Sequence, residues 1–75
     1  MPSPETVRQR LLASFPDAAV EVTDLTGTED HFQAVVVTPA FQGKTRIEQH
    51  QMVYGALGEL MQGAIHALAL TTRAP

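Results

Sequence analysis

The chain has no cysteine and no tryptophan among its 75 residues. Without cysteine it can form no disulfide, no thiol nucleophile and no iron–sulfur or zinc site on its own sulfur. Any metal chemistry must therefore use imidazole, carboxylate or a partner's thiol. Long apolar runs are also absent, and none approaches the roughly 20 residues that cross a bilayer, so no membrane partner is expected. The opening Met1-Pro2-Ser3-Pro4-Glu5 lacks the basic and apolar segments of a secretory signal, and a cytoplasmic address is the expectation. Positive charge is scarce: five Lys and Arg against eight Asp and Glu leave a net charge of -3. That balance argues against strong nucleic-acid binding, whose affinity comes chiefly from neutralised phosphates. No nucleophile stands beside a base, and the acids Asp17, Glu21, Asp24, Glu29, Asp30, Glu48 and Glu59 show no catalytic spacing, so an enzyme is not expected.

What is present, 44% hydrophobic and 17% charged residues, suits one small core, and residues 1–75 are read as a single domain. Ser3-Pro4-Glu5 supplies an N-cap, a first-turn proline and an early acid. Val7, Leu11, Leu12 and Phe15 then recur at helical spacing, which predicts a helix over about 4 to 14. Phe15-Pro16 stops it. From Ala19 the period falls to two, with Val20 and Val22 alternating with Glu21 and Thr23. The polar turn Thr26-Gly27-Thr28-Glu29-Asp30 leads into a second, more apolar strand, His31–Val37, which Thr38-Pro39 ends.

Thr45 and Glu48 form a capping-box pattern, so a second helix is expected over about 46 to 62. Ile47, Val53, Tyr54, Leu57, Leu60 and Met61 are read as its buried face, and Gly63 as its left-handed C-terminal cap. Gly55 and Gly58 weaken this helix unless packing holds it or a neighbour approaches closely there. Ala64–Thr71 reads as a last strand, with its start near 65.

The order helix, strand, strand, helix, strand predicts an α+β fold. Its three-stranded mixed sheet should have the third strand parallel to the second, the first antiparallel to it, and both helices on one face. Parallel neighbours start on the same edge of the sheet, so His31 and His66 can approach one another there. Two imidazoles on adjacent strands, about 4.8 Å apart, can share a metal only if register and face agree. On spacing alone the pair reads as surface histidines at strand ends, because two ligands fall short of a complete site. His50, on the second helix, reads as a surface or groove residue.

Three ordered motifs carry a resemblance that covers nearly the whole chain: Phe41-Gln42-Gly43-Lys44-Thr45-Arg46-Ile47, then Gln49-His50-Gln51-Met52-Val53-Tyr54, then Ile65-His66-Ala67-Leu68. Together they resemble the BolA family. The resemblance implies a fold similar to type II KH domains, in agreement with the element order. It also implies partnership with a monothiol glutaredoxin, the two proteins sharing a [2Fe-2S] cluster in iron–sulfur trafficking or iron and redox regulation. His66 would be the main ligand from this chain and His31 the second, with the glutaredoxin thiolate and glutathione completing the set. Imidazole ligation at one iron resembles the Rieske arrangement and raises the potential above that of an all-thiolate cluster.

The alternative is a KH-like, nucleic-acid-binding transcriptional regulator. Here the chain departs from many relatives, with Gln49-His50-Gln51 where they carry Arg-His-Arg. Lys44 and Arg46 are left as the close basic pair, and Phe41-Gln42-Gly43-Lys44 has one glycine where a KH clamp needs a GXXG loop. Lys44, Arg46 and His50 are accordingly the candidate partner or nucleic-acid surface. Only weak DNA binding is expected, and a homodimer stays open.

Overall fold

The structure, a computed structural model, describes residues 2–75. The first helix, α1, spans Pro4–Ser14; Ser3 caps it by accepting a hydrogen bond from the Thr6 N–H at 3.1 Å. Phe15 leaves the helix and packs edge-on against Phe41 at 5.5 Å, a contact that joins the end of α1 to the segment before the second helix. Strands β1, Ala19–Asp24, and β2, His31–Val37, form the antiparallel hairpin. Thr38 ends β2: its hydroxyl accepts from the Ala40 N–H at 3.2 Å and turns the chain into a short 3-10 segment, Pro39–Phe41.

The capping box forms. Thr45 Oγ1 accepts from the Glu48 N–H at 3.1 Å, and Glu48 Oε1 accepts from the Thr45 N–H at 2.8 Å, opening α2, Arg46–Leu57. The bond from the Thr45 backbone, with that to its side chain, holds the Glu48 carboxyl below its ordinary range. The last strand, β3, spans Ala67–Arg73, and the sheet order is β1-β2-β3 with β1 antiparallel and β3 parallel to β2, as expected. Val20, Phe32, Ala34 and Val36 on one face of the sheet are buried, and Val7 and Leu11 of α1 and Val53 and Leu57 of α2 close over that face. The alternation leaves the other face, with Glu21, Thr23, Gln33, Ala69 and Thr71, to solvent.

Three expectations are corrected. The α-helical part of α2 ends at Leu57, with Gly58 as C-cap at φ 54°, and a 3-10 segment, Gly58–Gln62, follows; Gly63 is extended at φ 179° and is not the left-handed cap. Arg10 from α1 explains the early end, because its guanidinium donates to the Leu57 carbonyl at 3.3 Å and pairs with Glu59 at 3.0 Å. The apolar residues of α2 also do not share one face. Val53 and Leu57 are buried, whereas Ile47 is 71% and Tyr54 41% exposed, since they lie about 100° and 80° round the helix from the midline of the buried pair. Finally, β3 begins two residues later than expected: Ile65 is buried, and its N–H bonds to the Leu60 carbonyl at 2.9 Å rather than joining the sheet.

Gly55 and Gly58 play different parts in the helix. Gly55 has ordinary helical geometry and open space where a Cβ would stand, while Gly58 holds a positive φ. Gly55→Ala is expected to raise stability by about 0.5 to 1 kcal/mol, and Gly58→Ala to lower it by about 1 to 3 kcal/mol. Denaturant unfolding of the two variants checks this, and the opposite order would mean that the helix does not end at Gly58.

Candidate metal-binding edge

The mouth of the β2/β3 pair is built from the turn before β2. The Asp24 carboxylate accepts backbone N–H bonds from Thr26 at 3.2 Å and Gly27 at 3.0 Å through Oδ1, and from Glu29 at 3.0 Å through Oδ2. Gly27 at φ 78° and Glu29 at φ 60° supply the left-handed bends. This wrapped turn delivers Asp30 and His31 to the start of β2.

The parallel register pairs His31 with Ala67, which sets His66 level with Asp30. The Asp30 carbonyl accepts from both the His66 N–H at 2.7 Å and the Ala67 N–H at 3.2 Å, so His66 stands immediately before β3 rather than inside it. A strict strand one residue out of step would send the two histidines to opposite faces. Lying outside the pleat, His66 instead brings its ring to 5.9 Å from that of His31, centroid to centroid, with the planes tilted by 32°.

Asp30 sits between the rings. Its Oδ1 lies 2.9 Å from His31 Nδ1 and its Oδ2 3.1 Å from His66 Nδ1, and the Thr28 hydroxyl also donates to it. These bonds, from Thr28 first and then from the two imidazoles, hold the Asp30 carboxyl well below the ordinary carboxylate range. The Asp30 side chain is only 15% exposed, against 42% for His31 and 68% for His66, so the rings face solvent and the carboxylate lies beneath them. Sequence reasoning paired the histidines and missed Asp30. Its adjacency to His31 was visible, but the one-residue offset that brings it to His66 was not.

Among the described residues no group of three or more His, Asp and Glu is arranged to hold a metal ion alone. The edge offers two imidazoles and would need donors from elsewhere to complete a coordination sphere.

Lys44, Arg46 and His50 lie elsewhere. Arg46 and His50 line a shallow cavity of about 200 Å³ with Leu70, Thr71 and Thr72, toward the far end of β3. Lys44 is exposed in the loop before α2, where the Gln49 amide donates to its carbonyl at 3.0 Å. Along β3 this group is some five residues from His66, about 16 Å, so the candidate residues form two separate surfaces. A larger depression, about 440 Å³, lies on α1 between Ser3 and Ala13; its lining includes neither histidine of the pair.

The wrapped turn carries a prediction. Asp24→Ala removes the acceptor for three backbone N–H groups, and a loss of about 1 kcal/mol in stability is expected, as for removal of a capping side chain. Amide hydrogen exchange at Thr26, Gly27 and Glu29 should quicken while that at Val53 and Leu57 stays slow; unchanged exchange in the turn would assign its order to other contacts.

A family model described as BolA-like protein matches residues 13–75. The DNA-binding transcriptional regulator BolA of Escherichia coli is 35% identical over 75 aligned positions, covering 91% of this chain and 71% of that protein. Among solved structures, a BolA homologue from Coxiella burnetii is 37% identical with a TM-score of 0.78, covering 100% of this chain and 94% of that one. The BolA domain of SufE1 from Arabidopsis thaliana reaches a TM-score of 0.88 at 27% identity, covering 100% of this chain and 95% of that one. With its helices, mixed sheet and motifs all in place, the chain belongs to the BolA family.

Proposed function

We propose that this chain partners a monothiol glutaredoxin and shares with it a [2Fe-2S] cluster, His66 and His31 being the ligands from this side. The observation that carries the reading is the pair of exposed imidazoles, 5.9 Å apart at one edge of the sheet. The donor set suits the cargo, because a chain without cysteine needs the partner's thiolate and glutathione to supply sulfur. Charge suits it too. Two ferric ions, two sulfides and two thiolates sum to zero, so a cluster held by two neutral imidazoles brings no negative charge toward Asp30, whereas an all-thiolate cluster would be dianionic. When bound, such a cluster supplies one-electron redox capacity at a potential raised by imidazole ligation. His66 and His31 hold it from one side, and the exposed edge leaves the other side to the partner. The role that follows is cluster trafficking or iron and redox regulation.

The test is the absorption and circular dichroism spectrum of this chain mixed with cluster-loaded monothiol glutaredoxin. A shift from the glutaredoxin homodimer spectrum is expected. His66→Ala should abolish it, and His31→Ala should shorten its lifetime. Acid should release the cluster from this side, because imidazole must be neutral to ligate. A wild-type spectrum from His66→Ala would refute the assignment, even if the two proteins still bound.

A second reading rests on the Escherichia coli relative, which is named as a DNA-binding regulator. Arg8 and Arg10 are engaged with Glu5 and Glu59, which leaves Lys44, Arg46 and Arg73 without a carboxylate partner among the described residues. Three phosphate contacts give a salt slope of only about -3 in log K against log salt, and dissociation constants of about 10⁻⁴ to 10⁻⁶ M at physiological salt. Nanomolar, sequence-dependent retardation of a duplex would favour the regulator over the cluster partner.

A further inference from the structure

We infer that Asp30 is the positioning residue of the histidine pair: one carboxylate fixes the tautomer of both rings, leaves both Nε2 atoms free as donors, and lowers the reduction potential of whatever iron they hold. The inference rests on the cluster reading for its last clause alone; the first two concern the chain by itself.

An ionised carboxylate only accepts hydrogen bonds. With Oδ1 at 2.9 Å from His31 Nδ1 and Oδ2 at 3.1 Å from His66 Nδ1, each ring must carry its proton on Nδ1, and the lone pair of a neutral ring is then on Nε2. Histidine ligands commonly give their second nitrogen to a carboxylate in this way, which fixes ring orientation and strengthens the donor. Here one carboxylate serves two rings. Thr28 steadies it from the turn, so the pair is set before any metal arrives. Both Asp30 oxygens face the rings in this arrangement, so its carboxylate serves as their hydrogen-bond acceptor.

The charge adds an electronic effect. One-electron reduction places a negative charge on the cluster, and the Asp30 carboxylate, half-buried beside the two ligand rings, disfavours that state. A neutral residue at this position removes both the repulsion and the strengthened imidazole donation, so it should raise the potential.

The test begins without metal. Long-range ¹H–¹⁵N correlation spectra of the free chain at about pH 8, above the ordinary imidazole range, should show the Nδ1–H form for both His31 and His66. Asp30→Ala should turn both toward the Nε2–H form. The fold should survive this change, because His66 and Ala67 bond to the Asp30 backbone carbonyl and not to its side chain. Asp30→Asn offers one acceptor oxygen and turns an NH₂ group to the other ring, so exactly one ring should keep Nδ1–H. In the glutaredoxin complex Asp30→Asn should form the cluster with a shorter lifetime, because one ring must give up its Nε2 proton to ligate, and should shift its potential upward. Wild-type rings in the Nε2–H form, or rings indifferent to Asp30→Ala, would overturn the inference. So would loss of the cluster spectrum in Asp30→Asn with both tautomers unchanged, which would make Asp30 a ligand. Expected tautomers together with no mixed-complex spectrum for the wild type would uphold the positioning role and reject the cluster partnership.

Discussion

The pairing of β3 with β2 starts at one atom, the backbone carbonyl oxygen of Asp30, which accepts from two successive N–H groups. That forked contact sets the register of every residue after it, from His31 beside Ala67 to Val37 beside Arg73. It decides which residues of β3 join the core, since Leu68 and Leu70 fall on the face covered by the helices. It also holds His66 out of the pleat, where its ring can turn toward His31. The same residue ties the edge together twice: its main chain aligns the strands, and its side chain joins the rings.

The parts of the fold legible from residues alone are those governed by local chemistry. Ser3-Pro4 and Thr45 with Glu48 mark both helix starts, because a cap is satisfied within three residues of itself. The alternation of Val20 and Val22 exposes a strand with one wet face in the same way. The end of α2 could not be read so. Gly58 and Gly63 both suit a C-terminus, and the choice depends on Arg10, 47 positions away, reaching the Leu57 carbonyl. The outward placement of Ile47 and Tyr54 has the same origin: hydrophobicity proposes one face, and the packing of α2 against α1 and β3 buries a narrower one. At the histidine edge, element order brought the two strand starts together, but hydrophobic alternation carries no information about a one-residue offset between parallel strands.

Charge divides the molecule along its strands. Asp24, Glu29 and Asp30 gather at the turn that opens β2, while Lys44, Arg46 and Arg73 stand near the strand ends. The net charge of -3 is thus unevenly spread, with the histidine edge the more acidic, while Lys44 and Arg46 share their end with Glu48. Similarity to both a bacterial regulator and the BolA domain of a larger plant protein is compatible with such a scaffold, on which distinct surfaces are carried by one small sheet.

The position of β3 at the border of the sheet has a consequence for when the histidine edge exists at all. The hairpin brings His31, Asp30 and Asp24 together early in the chain, but His66 arrives only with the last element, which is held on one side by β2 and bare on the other. Local opening that frees β3 costs less than unfolding the whole domain. It would carry one imidazole away and leave the other still bonded to Asp30. A bound cargo bridging the two rings would staple the outermost strand to its neighbour, so occupancy and the closure of the sheet are one equilibrium.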